Sequence, residues 1–468
     1  MTESAKTLQA ETGTTAKRRV GRPTTLEIGG GGLALILNLI RAGAATTRLD
    51  IERAAQLKRA VVTDRLSTLL RFGLIEEGEF GLAKGGRAPR HLRFRPEAGA
   101  LLVAVVERSS LAVALADLSG RLLVEHHEGV DLASGPDALL ERLTTLFIWL
   151  LDERGGKNSV WRIGLALPEP VLVDTNDGDA FGIAALNVLQ AWRGFDFRSE
   201  LSLRFGVPCM LRSGTQAMAM GELRAGAGQG LQDLLFVNLG RSISAGIVAD
   251  GVLHTGAQGF AGTIGHAATG EEGGVTCHCG SKGCLQARAS GEALAREGNA
   301  AARDGRSRYL ADMLARLGDV SAEDVGHGAQ LGDAFCAELL ARCGKLVGES
   351  LAPLVNLLNP AMLVLGGSVA ESGEIMLASV REAIYRQSHA LVTRDLRIVR
   401  SQMGGSAGLV GAAQILADDM FSPALLPGWI ALGSPRKAPA FLAYLDARKA
   451  QKREAATTAR PPGASGDA

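Results

Sequence analysis

Aromatic residues are scarce: 4 Trp, 3 Tyr and 13 Phe make up 4% of the 468 residues. That scarcity argues against a stacking platform for sugars or for single-stranded bases. No apolar run is long enough to span a bilayer, so no contact with a membrane is expected. The polar first residues lack the apolar core of a signal peptide, and the cytoplasm is the expected compartment. Cysteines number six, and without a secretory signal a disulfide framework is not expected. Net charge is almost absent as well, at +1. What remains, a chain of this length with 46% hydrophobic residues, is a globular protein of two or three domains with ample core.

The small net charge hides an uneven distribution. Residues 1–96 hold 17 Lys and Arg against 9 Asp and Glu, whereas the remainder holds 33 against 40. A basic head on an acidic body points to nucleic acid as a partner of the head. Residues 1–28 show no periodic apolar pattern and read as a disordered basic arm, in which Gly21-Arg22-Pro23 is either a minor-groove contact or part of a solvated tail. From Gly32 the apolar spacing becomes helical, and three short helices follow, the third over residues 57–70 with Val62, Leu66 and Leu69 on one face. A Gly- and Pro-rich hairpin tip, Gly85-Gly86-Arg87-Ala88-Pro89-Arg90, comes next. Residues 29–96 therefore read as a winged helix-turn-helix whose third helix enters the major groove of double-stranded DNA. Lys58, Arg59, Thr63 and Arg65 are the candidate contacts on that helix, and Arg87 and Arg90 those on the wing. The bland alternative is a winged helix used for protein contacts, and the charge of the head favours DNA.

Half of the cysteines fall in one stretch, Cys277-x-Cys279-x4-Cys284, with His266 a short loop upstream. Three thiolates and one imidazole form the closed tetrahedral set that structural zinc prefers, a set without an open position for catalysis. Three free thiols, or one disulfide and a leftover thiol, are the alternatives, and the tight spacing favours zinc. Gly265-His266 followed by Cys277-x-Cys279-Gly280-x-x-Gly283-Cys284-Leu285 resembles the signature of the ROK family of repressors, open reading frames and sugar kinases. The resemblance covers about residues 57–423. It implies an α/β, actin-like and hexokinase-like two-lobed body over residues 97–420, preceded in the repressor branch by a winged helix-turn-helix. Lys58 stands where repressors of the family usually carry a small capping Ser or Thr. Residues 421–468 form a basic, partly disordered C-terminal extension beyond the body.

Against the kinase branch of the family, the chain departs at most of the chemical positions and keeps His266 among the polar sugar contacts. The first phosphate turn of the kinases corresponds to Glu107-Arg108-Ser109-Ser110, which lacks glycine. The family's Asn-Asp pair, whose Asp takes the proton of the attacking sugar hydroxyl, corresponds to Ser213-Gly214, and glycine has no side chain to act as a base. The second phosphate loop reads Gly240-Arg241-Ser242-Ile243-Ser244-Ala245-Gly246, crowded by side chains. The sugar-binding Glu positions of relatives are Thr263 and Gln286 here. The resemblance thus implies a transcriptional regulator, a repressor, with a catalytically inactive sugar-kinase-like body. Asn187, Ser213, Thr263, His266 and Gln286 are the candidate ligand residues for a sugar or sugar-derivative effector. Family members commonly assemble as homodimers or homotetramers. The rival readings are a ligand-independent DNA-binding or assembly protein and, last, an active sugar kinase.

Overall fold

The computed structural model describes residues 31–80, 90–153, 160–168, 195–270 and 274–437, together with Trp192 and a few positions between 441 and 450. The arm over residues 1–28, Arg87 of the wing tip and Asn187 lie outside the described residues.

The head is built from three helices and one strand pair. Helix α1 (Gly32–Arg41) buries Leu33, Ile36, Leu37 and Ile40, an i, i+3, i+4, i+7 stripe. Helix α2 (Arg48–Ala55) starts at Thr47, whose hydroxyl accepts the Asp50 backbone N–H at 3.2 Å. Gln56 in the left-handed region (φ 54°) and an extended Lys58 turn the chain into α3 (Arg59–Arg71), which buries Val62, Leu66 and Leu69. Strands β1 (Ile75–Phe80) and β2 (Arg90–Phe94) pair antiparallel with Ile75 opposite Phe94. These are the helix-turn-helix and the base of the wing that the periodicity implies.

The body repeats one plan twice. In the first lobe β3 (Ala100–Val106), β4 (Ser110–Asp117) and β5 (Leu122–Gly129) form an antiparallel meander. The chain then crosses through α4 (Pro136–Glu153) to β6 (Val160–Leu167), which pairs parallel with β3, and through α5 (Phe197–Phe205) to β7 (Cys209–Ser213). In the second lobe β8 (Leu234–Leu239), β9 (Ile243–Ala249) and β10 (Val252–His254) are the meander, with β11 (Met362–Gly366) and β12 (Arg397–Arg400) added in parallel. The sheet orders β5-β4-β3-β6-β7 and β10-β9-β8-β11-β12 are therefore equivalent. This is the actin-like duplication that the resemblance implies.

Both faces of each sheet are covered, so central strands are apolar throughout. Along β3, Leu101, Val103 and Val105 face one core while Leu102, Ala104 and Val106 face another, toward α4 and α5. The second lobe carries α7 (Leu285–Ala289), α8 (Gly291–Arg303), α9 (Arg308–Leu317), α10 (Ala322–Gln330) and α11 (Ala334–Leu358) ahead of β11. The helical pattern over residues 322–338 breaks at Gly332 (φ 89°), and Asp333 caps α11 by accepting the Cys336 N–H at 3.0 Å. After β11 come α12 (Glu374–Gln387) and the single turn α13 (Ala390–Thr393).

Helix α6 (Gly214–Ala225) leaves the first sheet and packs on β8 and β9 of the second, whereas α14 (Ser406–Met420) leaves the second sheet and packs on β3 and β6 of the first. The two helices cross between the lobes at Gly221 and Gly411. A Cβ on Gly411 would overlap the Ala217 carbonyl oxygen, so only glycine permits this approach.

The head is docked on the body. Phe421, Leu426 and Trp429 are fully buried in one core with Leu37, Leu66 and Leu69 of the head and with Leu101 and Val103 of β3. Trp429 lies in the short helix α15 (Leu426–Ala431) and packs edge-on against Phe72 of the head and Trp161 of the first lobe, at 6.1 and 6.0 Å between centroids. The start of the C-terminal extension is thus core, because its apolar residues fill the joint between head and body.

Candidate functional site

A cavity of about 480 Å³ opens between the lobes. Its walls are the β3–β4 turn with Glu107 and Arg108, the first turn of α6 with Gly214, Thr215 and Met218, and the β8–β9 turn with Gly240, Arg241 and Ser242. These are the segments that the family resemblance assigns to phosphate and sugar binding. Gly214 is the first residue of α6 and lines the cavity without a side chain. Beside it the Thr215 hydroxyl lies 2.6 Å from the Ser244 hydroxyl, a bond between α6 and β9 across the lobes.

An adjoining recess of about 50 Å³ brings together Ser213, Thr263, His266 and Gln286, with Arg108 shared between the two spaces. Two of these side chains are engaged internally. The Thr263 hydroxyl donates to the Phe260 carbonyl at 2.6 Å. The buried Gln286 amide accepts the Ile243 N–H at 2.7 Å and donates to the Arg241 carbonyl at 3.2 Å, clamping the β8–β9 turn. A carboxylate at this position has no proton for the Arg241 carbonyl, which gives the amide a structural reason of its own. Gln216 closes the same wall by donating to the Gly259 carbonyl at 3.1 Å. Gln216 and the Thr215–Ser244 bond are features of the cleft wall that sequence reasoning missed, because their partners are distant in the chain.

The four metal-ligand candidates converge. One donor atom from each of His266, Cys277, Cys279 and Cys284 lies within 4.8 Å of the other three. The Cys279 and Cys284 sulfurs are 3.7 Å apart, close to the edge of about 3.8 Å that a tetrahedron with 2.3 Å metal–sulfur bonds requires. Gly280 and Gly283, at φ 91° and 74°, bend the loop so that the Cys277 N–H donates to the Ser281 carbonyl at 2.8 Å. Burial, with His278 adding to it, lowers the His266 pKa, which favours the neutral imidazole that binds metals. Burial pushes the Cys284 thiol up to about 12, so a cation is needed to hold it as thiolate. His278, between two of the cysteines, sets its ring edge-on to His266 at 5.3 Å and lines the recess. The donor set fits a closed structural site. It also joins the metal loop to the recess, since His266 belongs to both.

On the head, Lys58, Arg59 and Thr63 are exposed, and Arg65 is half-buried with its guanidinium 3.4 Å from Asp64. Opposite the buried Val62, Leu66 and Leu69, the middle of the outward face of α3 is held by Ala60, Asp64 and Ser67. Arg59 and Thr63 flank that face on one side and Arg65 on the other. Arg90 at the wing base pairs with Glu77 at 2.5 Å, and Arg48 reaches the same carboxylate at 3.2 Å. A part of Arg90's charge is therefore already compensated within the head.

Comparison with known proteins gives the following. The ROK family profile matches residues 108–419. The xylose repressor of Caldicellulosiruptor bescii is 25% identical over 389 residues, covering 83% of this chain and 96% of the repressor. A glucokinase of Halalkalibacterium halodurans is 30% identical over 279 residues, 58% of this chain and 83% of the kinase. Among solved structures, a ROK family transcriptional regulator described as a homolog of the E. coli MLC protein matches with a TM-score of 0.70 at 25% identity, covering 84% of this chain and 98% of its own. The likeness to the two regulators is thus longer than the kinase-like body alone.

Proposed function

The chain belongs to the ROK family, and from that premise we propose that it is a DNA-binding transcriptional repressor with a kinase-like body that senses a sugar or related ligand. The observation that carries this reading is the docked helix-turn-helix with the polar, exposed face of α3 turned away from its own core. Lys58, Arg59, Thr63 and Arg65 contact DNA from α3, and Arg87 and Arg90 from the wing. Two copies of the chain read a pseudo-palindromic operator. The cytoplasm is the compartment consistent with that role, and among the described residues no helix is long and apolar enough to cross a membrane.

Zinc is the cation that His266, Cys277, Cys279 and Cys284 would hold, and it would supply folding stability to the loop of the second lobe. The body performs no phosphoryl transfer, because Gly214 stands where a kinase needs a base. Asn187, Ser213, Thr263, His266 and Gln286 are assigned to effector binding. One observation favours a second reading: with Gln286 and Thr263 bonded internally and the recess only about 50 Å³, the body serves assembly and the head binds DNA without an effector.

Selection of genomic fragments on the purified protein, with and without a panel of sugars and sugar phosphates, separates these readings. Enrichment of a palindrome that one ligand releases supports the sensing repressor. Enrichment that no ligand alters supports the assembly reading, and failure to enrich any fragment overturns DNA binding. Sugar-dependent ATP turnover by the same preparation would restore the kinase reading.

A further inference from the structure

The head and the cleft meet at one carboxylate. Asp418, near the end of α14, accepts from the Arg41 guanidinium of α1 at 3.1 Å with one oxygen and from the Arg224 guanidinium of α6 at 3.3 Å with the other. Arg41 is the more enclosed partner, 13% exposed, with its guanidinium 4.7 Å from the Phe421 ring centroid and 5.7 Å from that of Phe94. Burial lowers the Arg41 pKa and Arg224 lowers it further, while Asp418 opposes both. The two guanidiniums therefore compete for one counter-charge and repel each other, so the position of Arg224 sets how firmly Asp418 holds the head.

The other end of α6 is the cleft. Gly214, Thr215 and Met218 of its first turns line the cavity, and Thr215 bonds Ser244 of the second lobe. Between the two ends, α6 crosses α14 at Gly221 and Gly411 with backbone against backbone. Close packing of this kind transmits strain, so the crossing can serve as a pivot for α6. A shift of the first turn would then reach Arg224, which shares Asp418 with Arg41.

We propose that Asp418 is the positioning residue that couples the state of the cleft to the DNA-binding head, with α6 as the lever and Arg224 as its contact. The proposal rests on the regulator reading and names how that site is regulated. Coupling of this kind acts by differential stability of two head positions and requires that the cleft end bias one of them.

The test is a double-mutant cycle on the full-length protein with zinc supplied, read on a genomic fragment selected by the wild type. Thr215→Val removes the bond to Ser244, and Arg224→Gln cuts the lever while leaving the Arg41–Asp418 pair. The expected result is that Thr215→Val changes DNA affinity about threefold or more in the wild-type background and distinctly less when Arg224→Gln is present. Distant residues ordinarily act additively, so equal effects in both backgrounds, including none in either, overturn the proposal. Asp418→Asn, nearly isosteric, serves as an independent second arm and is expected to abolish the coupling in the same way. Amide hydrogen exchange over residues 32–71 reads the same cycle without DNA. If the wild type enriches no fragment, the regulator reading fails on its own, and exchange still decides the lever: a Thr215→Val effect on α1 that survives Arg224→Gln unchanged overturns it.

Discussion

A side chain on Gly221 would drive its Cβ into the carbonyl oxygen of Ala407. The partner atom is backbone of α14, which cannot swing aside as a flexible side chain does, so the crossing of the two helices is set by the absence of an atom.

Gly221→Ala is accordingly expected to destabilise the body. Overpacking of a close contact costs about 1–3 kcal/mol, and here relief requires the two lobes to part. A lowered thermal midpoint checks this. A variant that melts like the wild type would mean the crossing yields freely, and the lever argument would lose its pivot.

Trp429→Ala is expected to loosen the head from the body. The ring is fully buried between Phe72 and Trp161, and truncation of a buried aromatic costs about 3–5 kcal/mol. Limited proteolysis between head and body should accelerate, with weaker DNA binding alongside. Deleting residues 421–468 should do the same, because Phe421 and Leu426 leave with it.

Chelation of the metal, or Cys279→Ser, is expected to destabilise the second lobe and raise exchange around α7. The pH dependence follows from the thiols. Burial raises the Cys277 and Cys284 pKa values, the latter to about 12, whereas Cys279, despite burial, is lowered by hydrogen bonds from Ser281, so Cys277 and Cys284 hold their protons in the metal-free loop at neutral pH and release them on binding. Metal affinity is therefore expected to fall as pH falls, and titration of metal content against pH measures it. Full stability after removal of the metal would refute the structural role.

Asp64 holds the middle of the exposed face of α3, and a carboxylate accepts from the cytosine amine. Asp64→Asn is expected to alter preference at one base position by about 1–3 kcal/mol, visible as a changed consensus in fragment selection. Arg59→Ala should instead weaken binding to all fragments and reduce the salt slope by about one. Arg90→Ala should do less than Arg59→Ala, because Glu77 already pairs with Arg90.

Much of the fold was legible because local signals agreed with it. The stripe Leu33, Ile36, Leu37 and Ile40 and the spacing of Val62, Leu66 and Leu69 each follow from a helical period that a short segment displays alone. The His–Cys cluster was legible for a similar reason, since three of its four side chains are close in the chain. The candidate ligand residues were less so. Ser213, Thr263, His266 and Gln286 do come together, yet that Gln286 spends both ends of its amide on the β8–β9 turn depends on partners 43 or more positions away in the chain.

By itself the sequence determined the helical period of the head, the closeness of three cysteines to one another, the lack of a side chain at Gly214 and the basic head against an acidic body, because these depend on residue identity and short spacing. Only the tertiary structure decided what Trp429, Asp418 and Gly221 do. A tryptophan in a basic tail, an aspartate at a helix end and a glycine within a helix have no local signature of a joint, a shared counter-charge or a crossing. Each acquires that role from a neighbour more than 180 residues away, such as Arg41 beside Asp418, which only the closed packing of the whole chain supplies.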